Sequence, residues 1–271
     1  MDNPEKPLAG KRIVITRAID DAIELSHALE RLGAKASFMP MVSFAPLVDF
    51  QALDQELRRL SSFDAIIFLS KNAMRYFFDR CAHLGIKCEM IQFNRMIAAV
   101  GNSTARALEG QGIRVDHIAK EATGEALARE IGPSLRAKRV LLPRSDRGDD
   151  RVPALLREAG AEVTEVIAYH TVKPSDFDPY VSAGVLQGNV SAVIFASPSA
   201  FQNFCSSFGQ SLVKEISQRV DFAAIGPTTA RAIRESGARV AIQSDSASSA
   251  GLADALAKFY GAQRVVPGRL V

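Results

Sequence analysis

Four short segments combine glycine, hydroxyl and amide residues in a pattern that suits anion binding. They are Leu69-Ser70-Lys71-Asn72, Val100-Gly101-Asn102-Ser103-Thr104, Ala196-Ser197-Pro198-Ser199 and Ile225-Gly226-Pro227-Thr228-Thr229. Each follows an apolar run and opens a helical pattern, so unpaired backbone N–H groups and the positive end of the helix dipole would face a ligand. Helix capping alone explains any single segment better, because Ser, Thr and Asn are preferred N-caps. Four such segments in two similar halves favour a cleft for an anionic ligand.

A cluster of arginines occupies residues 144–151, whose sequence is RSDRGDDR. Arg147 and Arg151 stand where the first half of the chain has Asp20 and Glu24. Guanidinium groups bind carboxylates and phosphates through paired hydrogen bonds, so this cluster could hold an anionic substrate. The competing interpretation is a solvated helix start in which the aspartates of the segment offset the positive charge.

Tyr169 breaks the similarity of the two halves, since Val42 occupies the matching position. A tyrosine near a domain crossing could donate a hydrogen bond into a cleft, or it could fill a seam between domains as an amphipathic residue. The four histidines are scattered. The sequence holds no Ser-His-Asp set, no metal-ligand spacing, no P-loop and no GxGxxG turn after a strand.

Two copies of one unit fill the chain and position these residues. The string DAIIFLSKNA, from Asp64, matches SAVIFASPSA, from Ser191, and GKRIVITR, from Gly10, matches AKRVLLPR, from Ala137. Both pairs share an offset of about 127 residues, far longer than the roughly 20–50 residues of a solenoid repeat. The pattern predicts an internal duplication that produced two similar domains.

Apolar runs alternate with helical patterns in each copy, which is typical of a parallel sheet with helices on both faces. The predicted strands are Arg12–Thr16, Lys35–Phe38, Ala65–Leu69, Met96–Val100, Arg114–Ile118, Arg139–Leu142, Glu162–Tyr169, Ala192–Ala196, Phe222–Ile225 and Arg239–Ile242. We therefore expect an α/β fold with two similar doubly wound, flavodoxin-like domains. Open parallel sheets bind ligands at the carboxyl ends of their strands, where the four turns lie.

Two proline-bearing segments, Phe44–Leu47 and Thr171–Ser175, lie at matching places inside the repeats. Proline favours an extended chain, so both segments could link domains. Domain one would then consist of residues 1–44 and 172–271, and domain two of residues 45–171. A single break near residue 136, where the repeats meet, is the simpler alternative, and the linkers alone do not decide between the two.

The composition argues against several classes of protein. A net charge of +3 is too small to indicate a nucleic-acid partner. No apolar run approaches the roughly 18 residues that a membrane helix needs. Cys81, Cys88 and Cys205 form neither a metal pattern nor an even disulfide set, which favours a reducing compartment. We expect a cytoplasmic protein without a membrane or nucleic-acid partner.

Several segments resemble the uroporphyrinogen-III synthase family in order, spacing and length. They are ITR at 15–17, FLSKNA at 68–73, AAVGNSTARAL at 98–108, RGDDRVPALLREAGAEV at 147–163, VIAYHTV at 166–172, FASPSA at 195–200 and AAIGPTTARAI at 223–233. The family often has a threonine before the strand-end serine, where this chain has Leu69 and Ala196. The hydroxyl-bearing Ser70 and Ser197 remain, and the resemblance covers nearly the whole chain.

The resemblance implies two α/β domains joined by a two-stranded connector, with the chain crossing over and back. It implies an enzyme of tetrapyrrole and haem biosynthesis that needs no cofactor. Such an enzyme converts hydroxymethylbilane, a linear tetrapyrrole, into uroporphyrinogen III with loss of water and inversion of ring D. It also implies a cytoplasmic monomer whose partners are this substrate and, transiently, the upstream pathway enzyme.

Roles for single residues follow from the resemblance. Tyr169 matches a family tyrosine proposed to help water depart, and Thr228 matches a family threonine near the substrate. The expected substrate-binding residues are Arg17, Ser70, Lys71, Asn72, Gly101, Ser103, Arg147, Arg151, Ser197, Ser199, Gly226 and Thr229. Two other classes compete: a two-domain solute-binding protein, which the missing export signal disfavours, and a two-domain glycosyltransferase, which usually has longer domains and a nucleotide motif.

Overall fold

The computed structural model describes residues 6–174 and 176–264. Ser175 of the predicted linker, and the outermost residues of the predicted first domain, lie outside the described residues. Contacts divide the chain into two compact units: unit 2 is Phe44–Thr171, and unit 1 combines the chain up to Ser43 with the chain from Val172 onward. Within the described ranges, no helix combines the length and apolar character that crossing a membrane requires.

The strands and helices alternate along the chain as the sequence patterns predict. In chain order the strands are β1 (Arg12–Ile15), β2 (Lys35–Phe38), β3 (Ser43–Ala45), β4 (Ala65–Phe68), β5 (Met96–Ala99), β6 (His117–Ile118), β7 (Arg139–Ser145), β8 (Glu162–Val172), β9 (Ala192–Phe195), β10 (Asp221–Ala224) and β11 (Ile242–Gln243). The helices are α1 (Ile19–Arg31), α2 (Gln51–Arg58), α3 (Lys71–His83), α4 (Cys88–Gln92), α5 (Asn102–Gly110), α6 (Gly124–Ile131), α7 (Arg151–Glu158), α8 (Pro179–Leu186), α9 (Pro198–Phe208), α10 (Gln210–Arg219), α11 (Pro227–Glu235) and α12 (Ser249–Arg264).

Each unit is built on one sheet. The strand order is β11-β10-β9-β1-β2 in unit 1 and β3-β8-β7-β4-β5-β6 in unit 2. Neighbours from β11 to β2, and from β8 to β6, pair in parallel. Each unit has two apolar clusters that contain strand residues together with helix residues, so helices cover both faces of its sheet. The predicted α/β fold class with doubly wound parallel sheets is confirmed.

The central strands are buried because their residues are apolar without alternation, as in sheets covered on both faces. β4 has the sequence AIIF and β9 the sequence AVIF, and all residues of both are buried. Phe68 and Phe195, at the ends of these strands, pack edge-on against Phe77 of α3 and Phe201 of α9, with ring centroids 5.3 Å and 5.2 Å apart. These contacts anchor the two helices whose first turns carry predicted site residues.

The sequence patterns did not predict β3, α4 or α10. The segment Phe44–Leu47, expected to be an extended linker, supplies most of β3, and β8 runs beyond its predicted end at Tyr169. α4 has only five residues, and the single residue Gly209 separates α10 from α9, so neither stands out in the sequence as a separate helix. β6 and β11 are also shorter than predicted.

Candidate active site

A cavity of about 410 Å³ lies at the carboxyl edge of the unit 2 sheet. Its lining consists of strand-end turns and helix starts: Leu69, Ser70, Val100, Thr123, Gly124, Glu125, Arg144, Ser145, Gly148, Asp149, Arg151, Val152 and Tyr169. Adjacent parallel strands bring these residues together because they end at the same edge of the sheet. A larger cavity of about 580 Å³ in unit 2 is mostly apolar and includes none of the predicted site residues.

Ser70 lines the cavity as the N-cap of α3. Its backbone is extended, with φ −161° and ψ 158°, and its Oγ accepts a hydrogen bond from the Ala73 N–H at 3.0 Å. The same oxygen lies 3.3 Å from the hydroxyl oxygen of Tyr169. Capping satisfies one unpaired N–H of the first helical turn. It also fixes the serine side chain, so the hydroxyl occupies a defined point in the cavity.

A β-bulge brings Tyr169 to the cavity. β7 and β8 pair in register up to Arg144 and Ile167, but the next paired residues are Ser145 and Tyr169. The extra residue on β8 changes which side chain faces the end of β7, an effect typical of bulges beside functional sites. Regular pairing would have placed Ala168 opposite Ser145.

Two aromatic rings hold the Tyr169 ring in place. Tyr76 stacks on it with centroids 5.1 Å apart and an interplanar angle of 9°, and Phe44 packs against it edge-on at 5.5 Å. Tyr169 is 6% exposed. An apolar ring and a polar tip suit this position, because the ring is buried while the hydroxyl reaches the cavity.

Asp146 fixes the chain at this tyrosine and at the two residues that follow it. Its carboxylate accepts a hydrogen bond from the Thr171 N–H at 2.8 Å and lies 2.9 Å from Nδ1 of His170. Its own backbone N–H donates to the Tyr169 carbonyl at 3.3 Å. Burial would raise the pKa of Asp146, but the hydrogen bonds from Thr171 and His170 outweigh it and hold this pKa below its ordinary value. The charged carboxylate therefore stabilises the end of β8.

Arg144 is an internal structural cation. Its side chain is 10% exposed and forms ion pairs with Glu165 and Asp150. Burial would lower its pKa, but the two carboxylates raise it above the ordinary value. Gly148 packs so closely on the guanidinium group that a Cβ at this position would collide with it. Arg144 therefore shapes the turn after β7.

Arg151 is the accessible arginine of the cavity. Its side chain is 69% exposed and contacts Glu125 at 2.6 Å and Asp149 at 2.7 Å. Arg147 is also exposed, but it lies outside the cavity lining, and its backbone N–H donates to Ser145 Oγ at 3.2 Å. Since exposed ion pairs contribute little free energy, Arg151 can exchange its present carboxylates for those of a ligand at small cost.

The other predicted residues of unit 2 lie at the same sheet edge but outside the cavity lining. Lys71 and Ser103 are exposed, whereas Asn72 and Gly101 are buried. Gly101 precedes α5 in an extended conformation that any residue can adopt, but a Cβ there would lie 3.0 Å from the Cβ of Ala122. Glycine therefore permits this close approach of two chain segments.

The turns of unit 1 repeat the caps of unit 2. Ser197 caps α9 by accepting a hydrogen bond from the Ala200 N–H at 3.1 Å, and its Oγ lies 3.0 Å from Ser199 Oγ. The remaining predicted residues follow the neighbouring strands β1 and β10: Arg17, Gly226, the exposed Thr228 and the buried Thr229. All six therefore belong to the carboxyl edge of the unit 1 sheet.

Sequence reasoning missed the loop Thr123–Glu125, which lines the unit 2 cavity at the start of α6. Thr123 caps this helix by accepting a hydrogen bond from the Ala126 N–H at 3.2 Å. Gly124 packs so tightly that a Cβ there would lie 2.6 Å from Cγ2 of Val152. One signal was available, because Gly124 and Gly251 occupy matching positions in the two halves.

Comparison with known proteins gives consistent similarities. The family model described as uroporphyrinogen-III synthase HemD matches residues 23–254. A uroporphyrinogen-III synthase of Synechococcus elongatus is 29% identical over 243 residues, covering 88% of this chain and 91% of that protein. A putative uroporphyrinogen-III synthase of Methanothermobacter thermautotrophicus is 30% identical over 230 residues, covering 83% and 89%. In fold, the chain resembles a crystal structure of a mutant uroporphyrinogen III synthase of Thermus thermophilus, with a TM-score of 0.63, 18% identity, and coverage of 94% of this chain and 100% of that one.

Proposed function

The chain belongs to the uroporphyrinogen-III synthase family, and from this premise we propose that it converts hydroxymethylbilane into uroporphyrinogen III. The reaction eliminates water and closes the macrocycle with ring D inverted. The protein is thus an enzyme acting on a small tetrapyrrole. Catalytic roles for its own residues form the remainder of the proposal.

The chemistry demands positioning more than a strong catalyst. A pyrrole nitrogen of the substrate can expel the hydroxyl group unaided, and uncatalysed closure gives the other isomer. The enzyme must therefore hold a bent substrate so that the substituted carbon of ring D attacks, an effect that proximity and orientation can supply. A weak acid that protonates the departing hydroxyl adds rate.

Tyr169 is the proposed acid. One observation supports this role above others: its hydroxyl reaches a polar cavity beside Ser70, while Tyr76 and Phe44 hold its ring. A phenol keeps its proton at neutral pH and can donate it to a leaving hydroxyl. In unit 1, Thr228 is exposed at the start of α11 and is proposed to contact the substrate near the reacting atoms.

The substrate carboxylates are proposed to bind the strand-end turns of both sheets. Unpaired N–H groups at helix starts and capping hydroxyls favour anions without requiring a charged side chain at each contact. Arg151 adds a cation in unit 2, together with the exposed Lys71 and Arg147. Backbone donors share the binding energy, so loss of a single side chain should have a mild effect.

The remaining expectations concern the setting of the enzyme. We propose that it acts as a cytoplasmic monomer without a cofactor, and that it contacts the upstream pathway enzyme transiently to receive its unstable substrate. The three free thiols Cys81, Cys88 and Cys205 suit a reducing compartment.

A product assay tests the proposed function. The purified chain would receive hydroxymethylbilane generated enzymically in the same vessel, and the oxidised products would be separated by chromatography. We expect isomer III well in excess of the isomer I that forms without this chain. Isomer I alone, at the rate of the uncatalysed control, would refute the proposal.

A further inference from the structure

We propose that Glu125 is a specificity-determining residue, an internal carboxylate that occupies Arg151 until a substrate carboxylate displaces it. The inference rests on the proposed function, because it concerns how the same cavity selects its anion. Its basis is the 2.6 Å contact between Oε1 of Glu125 and Nη1 of Arg151, two residues that line the unit 2 cavity.

Arg151 contacts two carboxylates that hold it in different ways. Asp149 lies two residues earlier and accepts hydrogen bonds from the Arg151 backbone N–H and Nε, both at 2.9 Å, and from Nη2 at 2.7 Å. These bonds join the backbone and side chain of Arg151, so Asp149 orients the guanidinium group. Glu125 comes from the first turn of α6 and contacts only Nη1. Glu125 is therefore the carboxylate that an incoming anion would replace.

Displacement would not leave Glu125 without a partner. Arg129 lies one turn further along α6, and its Nη2 is 3.4 Å from Oε2 of Glu125. Arg129 is outside the cavity lining, so it can keep Glu125 while a ligand takes Arg151. The side chains of both arginines are 69% exposed, and exposed ion pairs exchange their partners at little cost in free energy.

An arginine that is already occupied discriminates between anions by the number of their contacts. A small anion must displace Glu125 in return for its single contact with Arg151. A substrate that has already bound the strand-end turns through other carboxylates makes the exchange as an intramolecular step at high effective concentration. Glu125 thus disfavours lone small anions in the cavity, a selection by competition and not by added attraction.

The expected effect is modest because the ion pair is exposed. Removing the competing charge should strengthen anion binding at Arg151 by about 2- to 5-fold, the range that corresponds to one exposed ion pair. The contact with Arg151 would persist from the bound substrate to the transition state. The gain should therefore appear in KM and not in kcat.

Steady-state kinetics of the full-length chain provide the first test. The variants are Glu125→Gln, Arg151→Ala and their combination. Glu121→Gln is the matched control, because Glu121 is an exposed residue outside the cavity lining whose replacement removes the same charge. We expect Glu125→Gln to lower KM about 2- to 5-fold with kcat unchanged, and to have no effect on KM in the Arg151→Ala background. Glu121→Gln should retain the wild-type KM.

Binding of citrate, a small carboxylate, provides a second test that does not depend on turnover. Calorimetry without substrate, at constant ionic strength, would measure its Kd for the same variants. We expect Glu125→Gln to bind citrate about 2- to 5-fold more tightly than wild type or Glu121→Gln, and this gain should vanish without Arg151. A wild-type chain that forms no isomer III would refute the proposed function, whereas this binding test would still decide the inference.

Several results would overturn the inference. An unchanged KM in Glu125→Gln, or no gain in citrate binding, would mean that Glu125 does not compete for Arg151. Equal gains in Glu125→Gln and Glu121→Gln would reflect only the overall charge, and a gain that persists in Arg151→Ala would reflect direct repulsion between Glu125 and the ligand. If Glu125→Gln did not fold, Glu125→Asp would replace it, because aspartate keeps the charge at the helix start but reaches less far toward Arg151. This variant should change KM and citrate binding in the same direction by a smaller factor, and wild-type values would overturn the inference equally.

Discussion

The two units contain the same strand-end turn in different chemical surroundings. Ser70 and Ser197 cap α3 and α9 with φ of −161° and −160°, and each accepts an N–H three residues along. The hydroxyl beside Ser70 is that of Tyr169, whereas the hydroxyl beside Ser197 is that of Ser199. The cap geometry is thus common to both units, while the potential acid is present in one.

The difference arises from the strand that ends beside each turn. β8 extends to Val172 and carries the bulge that turns Tyr169 toward Ser145. Its counterpart β2 ends at Phe38, before Val42, the residue that matches Tyr169. The duplicated fold therefore supplies two similar sheet edges that we propose bind anions, and a longer, bulged strand adds the proposed acid to one of them.

The largest expected effect tests whether the two cores are equivalent. Phe68→Ala and Phe195→Ala each remove a fully buried ring from the end of a central strand. We expect a loss of about 3–5 kcal/mol in the free energy of unfolding for either variant, because a buried phenylalanine leaves a cavity. Chemical denaturation measures it, with Val48→Ala at a 96% exposed position as control. If either variant lost less than about 1 kcal/mol of unfolding free energy, the core of that unit would tolerate removal of the phenylalanine ring better than the core of the other unit.

Tyr169→Phe tests the catalytic difference between the units. We expect kcat to fall by up to about 100-fold with KM nearly unchanged, since the departing hydroxyl leaves readily even without an acid. Steady-state kinetics measure both parameters. Tyr180→Phe is the control, because Tyr180 is 90% exposed in α8. Equal kcat values for the two variants would reduce Tyr169 to a packing residue.

The arginines test the charge difference between the units. We expect the KM of the Arg147→Ala/Arg151→Ala double variant to rise by about 10-fold. This value is at the low end for the loss of charge-assisted hydrogen bonds, because both side chains are exposed. The matched control is Asp20→Ala/Glu24→Ala in unit 1, which should leave KM unchanged. An unaltered KM in the arginine variant, with normal thermal stability, would mean that these residues form only a solvated helix start.

The smallest expected effect is a pH dependence confined to unit 2. Asp54 and Arg80 form a two-point ion pair with 2.7 Å contacts, whereas the matching positions of unit 1 hold Val181 and Ser207. Hydrogen bonding to Arg80 lowers the pKa of Asp54. Because the pKa of Asp54 is lower in the folded state than in the unfolded state, where it is about 3.9, the ion pair stabilises the fold at pH values above about 3.9. This stabilisation is lost as the pH falls through the folded-state pKa.

Denaturation of wild type and Asp54→Asn between about pH 7 and pH 3 measures this dependence. The difference in unfolding free energy should be constant near neutral pH and shrink below about pH 4. A difference that does not change with pH would show that the ion pair contributes only through packing.

Much of the fold could be predicted from the sequence because its signals are local. Continuous apolar runs such as AIIF and AVIF identify buried strands, and their repetition reveals the duplication. The resemblance to the synthase family was also confirmed. Short or closely spaced elements such as α4 and α10 escaped prediction, because five residues show little periodicity and a single glycine separates α10 from α9.

The candidate site was less accessible to sequence reasoning. Strand-end turns predicted Ser70 and Ser197 as caps, since capping is a local property. The bulge that places Tyr169 opposite Ser145 depends on the pairing of β7 with β8. The close approach of Gly124 to Val152 depends on packing between α6 and α7. Neither leaves a local pattern. Which predicted residues contact the substrate stays a prediction.

We propose that the fold selects the product isomer while Tyr169 only accelerates loss of water. The most direct test is the ratio of isomer III to isomer I formed by Tyr169→Phe, measured by chromatography at equal conversion and corrected for uncatalysed closure. We predict that the variant makes isomer III with the wild-type ratio, only more slowly. Enzyme-dependent formation of isomer I would contradict the claim, because it would mean that Tyr169 holds ring D.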